Sequence, residues 1–168
     1  MWYVVWTTAG NEHRLRARIM KETDPGLYGE IWVPVRREMR KAKGERKEVE
    51  RPIFPGYLFA SPQDPVKLHV AIRGCRGYLG ILKSGGRFMP LSPEDEGFIK
   101  KIGSDKAPAE VSTGFIRGGR LHVVEGPLKG LEEYIVKIDR HKMRAILEMD
   151  LFGKLRRFAL GLCVVNRE

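Results

Sequence analysis

At 168 residues the chain has room for one medium domain or two small ones, not for an enzyme with separate large cofactor and substrate domains. Charged residues make up 31% of it and hydrophobic residues 42%, a composition that folds, and no apolar run is long enough for a membrane-spanning helix. The 31 Lys and Arg against 21 Asp and Glu leave a net charge of +10, which favours polyanionic partners, nucleic acid first and anionic membranes second.

Residues 2–6, Trp-Tyr-Val-Val-Trp, are an apolar run that predicts a buried strand. Thr8, Ala9, Gly10 and Asn11 lead into residues 12–21, where Leu15, Ile19 and Met20 share a face and Arg14, Arg16 and Arg18 occupy the rest. That pattern predicts a helix capped by Asn11 or Thr8. Residues 29–35 predict a second strand, and residues 36–51, dense in Arg and Lys with little apolar content, a mobile hairpin or loop. A third strand is expected over 54–60, a helix over 65–72, a last strand over 80–82 and a closing helix over 93–102 capped by Ser92. This alternation predicts an α+β fold, an antiparallel sandwich of the split-βαβ kind, over residues 1–104. Residues 105–116 contain Pro108 and little periodicity and predict a linker. Short strands at 120–124, 133–138, 144–149, 155–160 and 162–165, broken by turn residues, then predict a small all-β SH3-like barrel over 117–168. Residues 144–162 are also rich in Leu, Met, Ala and Lys, so a helix stays open there.

The sequence carries no catalytic or metal-binding signature. His13, His69, His122 and His141 are scattered, and Cys75 and Cys163 lack a second pair, which excludes a zinc finger and argues against a disulfide-stapled domain. Gly74, Gly77 and Gly80 lack the helix and the acidic residue that a dinucleotide fingerprint requires. Cys75, beside Arg73 and Arg76, reads as a small buried thiol in preference to an activated nucleophile. No catalysis and no cofactor are expected. The N-terminus lacks the basic region and cleavage site of a secretion signal, so the expected location is the cytoplasm.

Three features follow one another in order: Trp-Tyr-Val-Val-Trp at 2–6 with a basic helix behind it, Phe-Pro-Gly-Tyr-Leu-Phe at 54–59, and Gly-Gly-Arg-Leu-His-Val-Val-Glu-Gly-Pro-Leu-Lys-Gly at 118–130. Together they resemble the NusG family of transcription elongation factors over nearly the whole chain. The resemblance implies an N-terminal NGN domain at 1–104, a linker at 105–116 and a KOW domain at 117–168. It also implies RNA polymerase as the main partner. An apolar patch at Trp6, Phe54, Pro55, Tyr57 and Phe59 would hold the clamp helices of the β′ subunit, with His69 at the gate loop of the β subunit. Aromatic anchors suit such a contact, although alternation places Tyr57 and Phe59 on one strand face, so part of the set also reads as core. The positions that read non-template DNA in the family fall on Asn11, Arg14, Arg18, Arg73 and Arg76. Guanidinium and amide groups suit exposed bases, and a solvated basic helix face is the alternative.

The KOW loop that contacts the termination factor Rho or a ribosomal protein in the family falls on Leu151 and Phe152. Glu133 stands where the pattern places glycine, and the flanking turns are unusually basic. These departures resemble specialised antiterminators of the LoaP and RfaH type, which implies suppression of pausing and termination with recruitment by a leader RNA hairpin or by single-stranded non-template DNA. Lys129, Arg140, Lys142, Arg144, Lys154, Arg156 and Arg157 come from turns and strand edges and are expected to merge into one RNA-binding face. A housekeeping member of the family and a ribosome-associated KOW RNA-binding module are the competing readings. The aromatic strand at 54–59 argues against the second. A monomer without membrane contacts is expected.

Overall fold

The computed structural model describes residues 1–103 and 106–166. In chain order its elements are β1 (Tyr3–Trp6), α1 (Glu12–Glu22), α2 (Pro25–Tyr28), β2 (Ile31–Trp32), β3 (Val35–Ala42), β4 (Glu45–Pro52), β5 (Tyr57–Ala60), α3 (Pro65–Ile72) and β6 (Gly80–Ile81). There follow β7 (Lys83–Ser84), β8 (Arg87–Phe88), α4 (Pro93–Ile102), β9 (Ser112–Arg117), β10 (Arg120–Glu125), a 3-10 turn at Glu132–Tyr134, β11 (Ile135–Asp139), β12 (Arg144–Leu151) and β13 (Lys154–Val164). Contacts divide the chain into two units, residues 1–34 with 54–98 and residues 35–53 with 99–168. The expected domain boundary at residues 104 and 105 lies outside the described residues, as do residues 167 and 168.

In the first unit β1 is an inner strand. Residues Tyr3 to Trp6 pair antiparallel with Ala60 to Tyr57 of β5, and Val5 and Trp6 pair with Ile81 and Gly80 of β6, giving the order β2-β5-β1-β6. Val4, Val5, Leu58 and Phe59 are all fully buried, so both faces of these strands are covered. That is why they read as continuous apolar runs with no polar alternation. α1 packs on β5 and α3 on β6. Each helix contributes an i, i+4 pair to the interior, Leu15 with Ile19 and Leu68 with Ile72. Each such side chain contributes about 1.5–3 kcal/mol by leaving water. The expected strand at 29–35 is split, because Pro34 has no N–H for a ladder.

Neither expected cap closes α1. Asn11 occupies the N-cap position without a capping bond; its amide donates to Thr7 Oγ1 at 3.0 Å. The buried Glu12 carboxylate does the work instead. It accepts the Gly10 N–H at 2.5 and 3.1 Å and the Gly56 N–H at 3.2 Å. Gly56 has φ +86, and a Cβ there would lie 2.7 Å from the Thr7 carbonyl oxygen, so only glycine lets this turn come so close. The other caps follow the sequence: Asp64 accepts from Val66 and Lys67, and Ser92 accepts from Asp95 at 3.1 Å.

In the second unit, residues 36–51 form a regular hairpin. β3 and β4 pair in continuous register from Val35 with Pro52 to Ala42 with Glu45. Lys43 and Gly44 make the two-residue turn at φ 52 and 80, the primed geometry that matches strand twist. The other five strands form one sheet in the order β10-β9-β13-β12-β11, antiparallel except where β13 meets β9. This is the small all-β unit the sequence predicts, with two differences. β9 begins at Ser112, inside the expected linker, and the two expected strands after residue 154 are one, β13. The helix left open over 144–162 does not form. Buried Ala145, Leu147 and Leu151 on β12, and Phe158, Leu160 and Leu162 on β13, recur with period two, and that pattern outweighs helix propensity.

Replacing Glu12 with Ala leaves the Gly56 N–H unpaired in the interior, at about 1–3 kcal/mol, and also removes the Gly10 bond at the surface, at about 0.5–1.5 kcal/mol. A loss of about 3 kcal/mol is expected in urea denaturation, with Glu12→Gln intermediate. An unchanged midpoint for Glu12→Ala would remove the carboxylate from its structural role.

Candidate functional site

The expected aromatic patch separates into a presented edge and a support. Trp6 is 44% exposed at the end of β1, opposite half-buried Tyr57, and Pro55 is exposed in the turn before β5. Phe54 and Phe59 are buried at 5% and 0%, in edge-to-face contact at 6.3 Å, with Trp32 against Phe59 at 5.9 Å. They hold the edge from beneath and are not on it. Main-chain bonds gather the presented groups: Thr7 N–H donates to Gly56 O at 2.8 Å, and Leu79 N–H donates to Trp6 O at 3.0 Å. Leu79, at 56% exposure, therefore joins Trp6 on this edge. It went unnoticed in the sequence because it lies in a glycine-rich stretch without periodicity.

Helix α1 and the turn after α3 are tied together. Arg18 donates to the Arg76 carbonyl at 2.9 Å, the Asn11 amide packs against Gly77, and Thr7 Oγ1 donates to Gly77 O at 2.6 Å. Arg14, Arg73 and Arg76 are exposed, while Asn11 and Arg18 are half-buried. The structure thus brings Asn11, Arg18 and Arg76 together. His69 faces inward to an aromatic group: its Nδ1 lies 2.6 Å from the Tyr78 hydroxyl and its ring 5.4 Å from Phe88. Burial pushes the Tyr78 phenol up to about 12. Cys75 is a buried thiol whose pKa is raised, first by burial and then by Glu22, to which its Sγ donates at 3.4 Å. A raised pKa opposes thiolate chemistry.

The seven cations expected on one face of the barrel fall at opposite ends. Arg140 and Lys142 lie in the turn between β11 and β12, and Arg144 opens β12; Lys154 pairs with Leu151 at the far end of that strand. A seven-residue separation along a strand is about 23 Å. At the far end, Arg156 is used by its own hairpin. Its Nε donates to Leu151 O at 2.9 Å, its Nη2 reaches Phe152 O at 3.5 Å, and its guanidinium lies 5.1 Å from the Phe152 ring centre. Arg157 pairs with Glu148 at 2.8 Å. Leu151 and Phe152 are each 3% exposed, with Phe152 at φ 54 in a two-residue turn, and exposed Leu155 is the apolar side chain this hairpin presents. Lys129 is exposed in the connection from β10 to β11.

Arg144 and Lys142 instead face the β3–β4 hairpin, across a cleft of about 490 Å³ that Arg36, Glu38, Arg40 and Arg51 line from the other side. Arg36 is 7% exposed and donates to Glu38 at 3.0 Å. Burial lowers its pKa, Glu38 opposes that, and the Arg144 and Arg51 charges add to the lowering. The Arg144 Nε is buried without a hydrogen-bond partner among the described residues. At the turn, the Lys142 N–H donates to Asp139 Oδ1 at 2.9 Å and holds that carboxyl below its usual range, with the nearby Arg144 charge helping. The sequence predicts a mobile hairpin or loop over 36–51, and its low apolar content gives no sign of an ordered wall of this cleft. The alternating charges around Lys43-Gly44 were the available signal.

A family model described as transcription termination factor nusG matches residues 1–102. The transcription termination/antitermination protein NusG of Thermus thermophilus is 28% identical over 167 residues, spanning 91% of this chain and 90% of the relative. That of Bacillus subtilis is 28% identical over 161 residues with the same shares. The Escherichia coli K12 protein of the same name is 26% identical over 176 residues, spanning 99% of this chain and 95% of its own. A solved structure of Thermotoga maritima NusG shares the fold, with a TM-score of 0.56 at 22% identity over 95% of this chain and 92% of that one.

The contacts of Arg156 make it a structural residue of the β12–β13 turn. Arg156→Ala should lower stability by about 1–2 kcal/mol, since a net intramolecular hydrogen bond contributes about 1 kcal/mol. Lys154→Ala, at an exposed position, should stay within about 0.5 kcal/mol. Thermal denaturation of the two variants checks the contrast, and equal effects would contradict it.

Proposed function

We propose that this chain, which belongs to the NusG family and is a NusG-type transcription factor, binds RNA polymerase through the edge formed by Trp6, Pro55, Tyr57 and Leu79. The relatives are named for termination and antitermination, and the reading here is that the chain acts on polymerase without catalysis, as an antiterminator. The observation that carries it is the exposed aromatic edge. Trp6 at 44% exposure and Leu79 at 56% are held on a rigid sheet end by main-chain bonds, over a support of buried Phe54 and Phe59. Preformed aromatic and aliphatic anchors of this kind carry most of the energy of a protein interface. The partner surface we assign is the β′ clamp helices, with the neighbourhood of His69 toward the β gate loop. Asn11, Arg14, Arg18, Arg73 and Arg76 serve the non-template DNA strand.

The second unit supplies the other contact. Its basic side chains take nucleic acid, a leader RNA hairpin in the reading we favour, and this recruits the factor to particular transcripts. A housekeeping role with Rho or a ribosomal protein at Leu151 and Phe152 is less well supported, because both side chains are buried. The division into a polymerase-binding part at 1–104, a linker at 105–116 and a KOW part at 117–168 belongs to the same proposal.

Tyr57→Ala should weaken polymerase binding by about 2 kcal/mol, the size of an aromatic hot spot, or roughly thirtyfold. Binding is read by titration against core polymerase, and function by run-off transcription through an intrinsic terminator. A folded Tyr57→Ala variant with wild-type affinity would overturn the polymerase edge. Equal read-through with and without the protein, on leaders with and without a hairpin, would overturn antitermination.

A further inference from the structure

The β3–β4 hairpin sorts its charges by face. Directly opposed residues share a face, so Arg36 and Arg51, Glu38 and Val49, and Arg40 and Lys47 point one way. Arg37 and Glu50, Met39 and Glu48, and Lys41 and Arg46 point the other. On the second face the carboxylates are consumed: Arg37 reaches Glu48 at 3.4 Å, Glu50 at 3.9 Å and Glu110 at 2.8 Å. The first face keeps Glu38, which Arg36 occupies at 3.0 Å, and Glu45 opposite Ala42 beside the turn. Arg36, Glu38, Arg40 and Arg51 of that face, with Met39 and Lys41 of the other, line the cleft opposite Arg144 and Lys142.

The two walls are held together by close backbone approach. A Cβ on Gly161, the cross-strand partner of Arg144, would lie 2.6 Å from the Arg37 carbonyl oxygen. β3 is further tied by the Arg37 N–H to Ala109 O at 2.8 Å and the Ala109 N–H to Val35 O at 2.9 Å. Folding therefore brings the Arg51 and Arg144 charges close enough to buried Arg36 to disfavour its own charge, and leaves the Arg144 Nε buried without an acceptor among the described residues. Like charges forced together and an unpaired buried donor are both relieved by a bound anion. The cleft volume of about 490 Å³ and its exposed flanking cations, Arg40 and Lys142, suit a chain of anions better than a single small ion.

We propose that this cleft is a binding site for a phosphodiester backbone, in which the hairpin and the β11–β12 turn clamp successive phosphates of one nucleic-acid strand. Buried Arg36 and half-buried Arg144 form its floor, exposed Arg40 and Arg51 one rim and Lys142 the other. Arginine suits this task because its planar fork donates two parallel hydrogen bonds to one phosphate. The proposal rests on the reading of nucleic acid as the second partner and places that contact at this end of the barrel and not at the turn holding Lys154.

The test is a titration of the full chain against three probes: a synthetic RNA stem-loop, the DNA stem-loop of the same sequence and an unstructured RNA strand. The double variant Arg40→Glu with Lys142→Glu reverses one exposed charge on each rim. Lys83→Glu with Arg87→Glu makes the same change in net charge on the exposed β7–β8 hairpin. The rim variant should weaken the preferred probe by at least about tenfold and flatten the slope of log K on log salt by about 1.4–1.8, at roughly 0.7–0.9 per lost phosphate contact. The β7–β8 variant should stay within about twofold. Equal losses in both variants, or wild-type affinity in the rim variant, would overturn the cleft while leaving nucleic-acid binding in place. A wild-type chain that binds none of the three probes would overturn the nucleic-acid reading itself. Preference for the RNA or the DNA stem-loop, lost in the rim variant, supports the site and identifies the source of the phosphates.

Discussion

The first unit depends on one buried carboxylate. Glu12 opens α1 and spends its charge on two main-chain donors, Gly10 before the helix and Gly56 before β5. A buried carboxylate is tolerated only when such donors surround it, so the side chain specifies both turns at once. The Thr7 N–H then reaches Gly56 O, and Tyr57 falls opposite Trp6. The presented aromatic edge is thus set by polar bonds beneath it. Rigidity of this kind lowers the ordering cost of association.

In the second unit the controlling constraint is electrostatic. A hairpin with so little apolar surface gains almost nothing from burial, and its order comes from register, a primed turn and pairing of opposite charges. Exposed ion pairs contribute little each, but Arg37 among Glu48, Glu50 and Glu110 forms a network on one face. The result is a difference across the hairpin: one face ties Arg37 into a carboxylate network, and the other, the more positive side, carries Arg36, Arg40, Lys47 and Arg51 against Glu38 and Glu45. Gly161 and the bridge to Ala109 then turn the positive side into the wall of a cleft.

Much of this was legible in the amino-acid sequence, and the failures share a cause. The run at residues 2–6, the helix over 65–72 and the Ser92 cap were readable because period, proline and cap residues all agree locally. The exposed aromatic edge was half readable. Motif order pointed to Phe54 and Phe59 together with Trp6 and Tyr57, but which rings are covered depends on packing from Trp32, remote in sequence. The basic side chains expected on one face of the barrel lie toward opposite ends of the sheet. Turns on successive hairpins alternate between ends of a barrel, so Arg140 and Lys154 are close in sequence and far apart in the fold. The cap of α1 escaped because its acceptor, Glu12, sits inside the helix and serves a turn that comes much later in the chain.

The place of β13 in the middle of its sheet has a consequence for synthesis. β13 lies between β9 and β12, and the parallel pairing of Leu162 with Ser112 joins the last strand of the sheet to its first. On a ribosome, β9 and β10 emerge early and can form only their own hairpin. Ser112, whose hydroxyl accepts the Leu128 N–H at 3.0 Å in a fully buried position, has no enclosed place until β13 arrives. The β3–β4 hairpin needs no such wait, since its pairing is local, and pairing across long sequence separations is intrinsically slower. A nascent chain paused before residue 154 therefore holds β9 and β12 each with one open edge, a state in which unpaired strand edges invite misassembly.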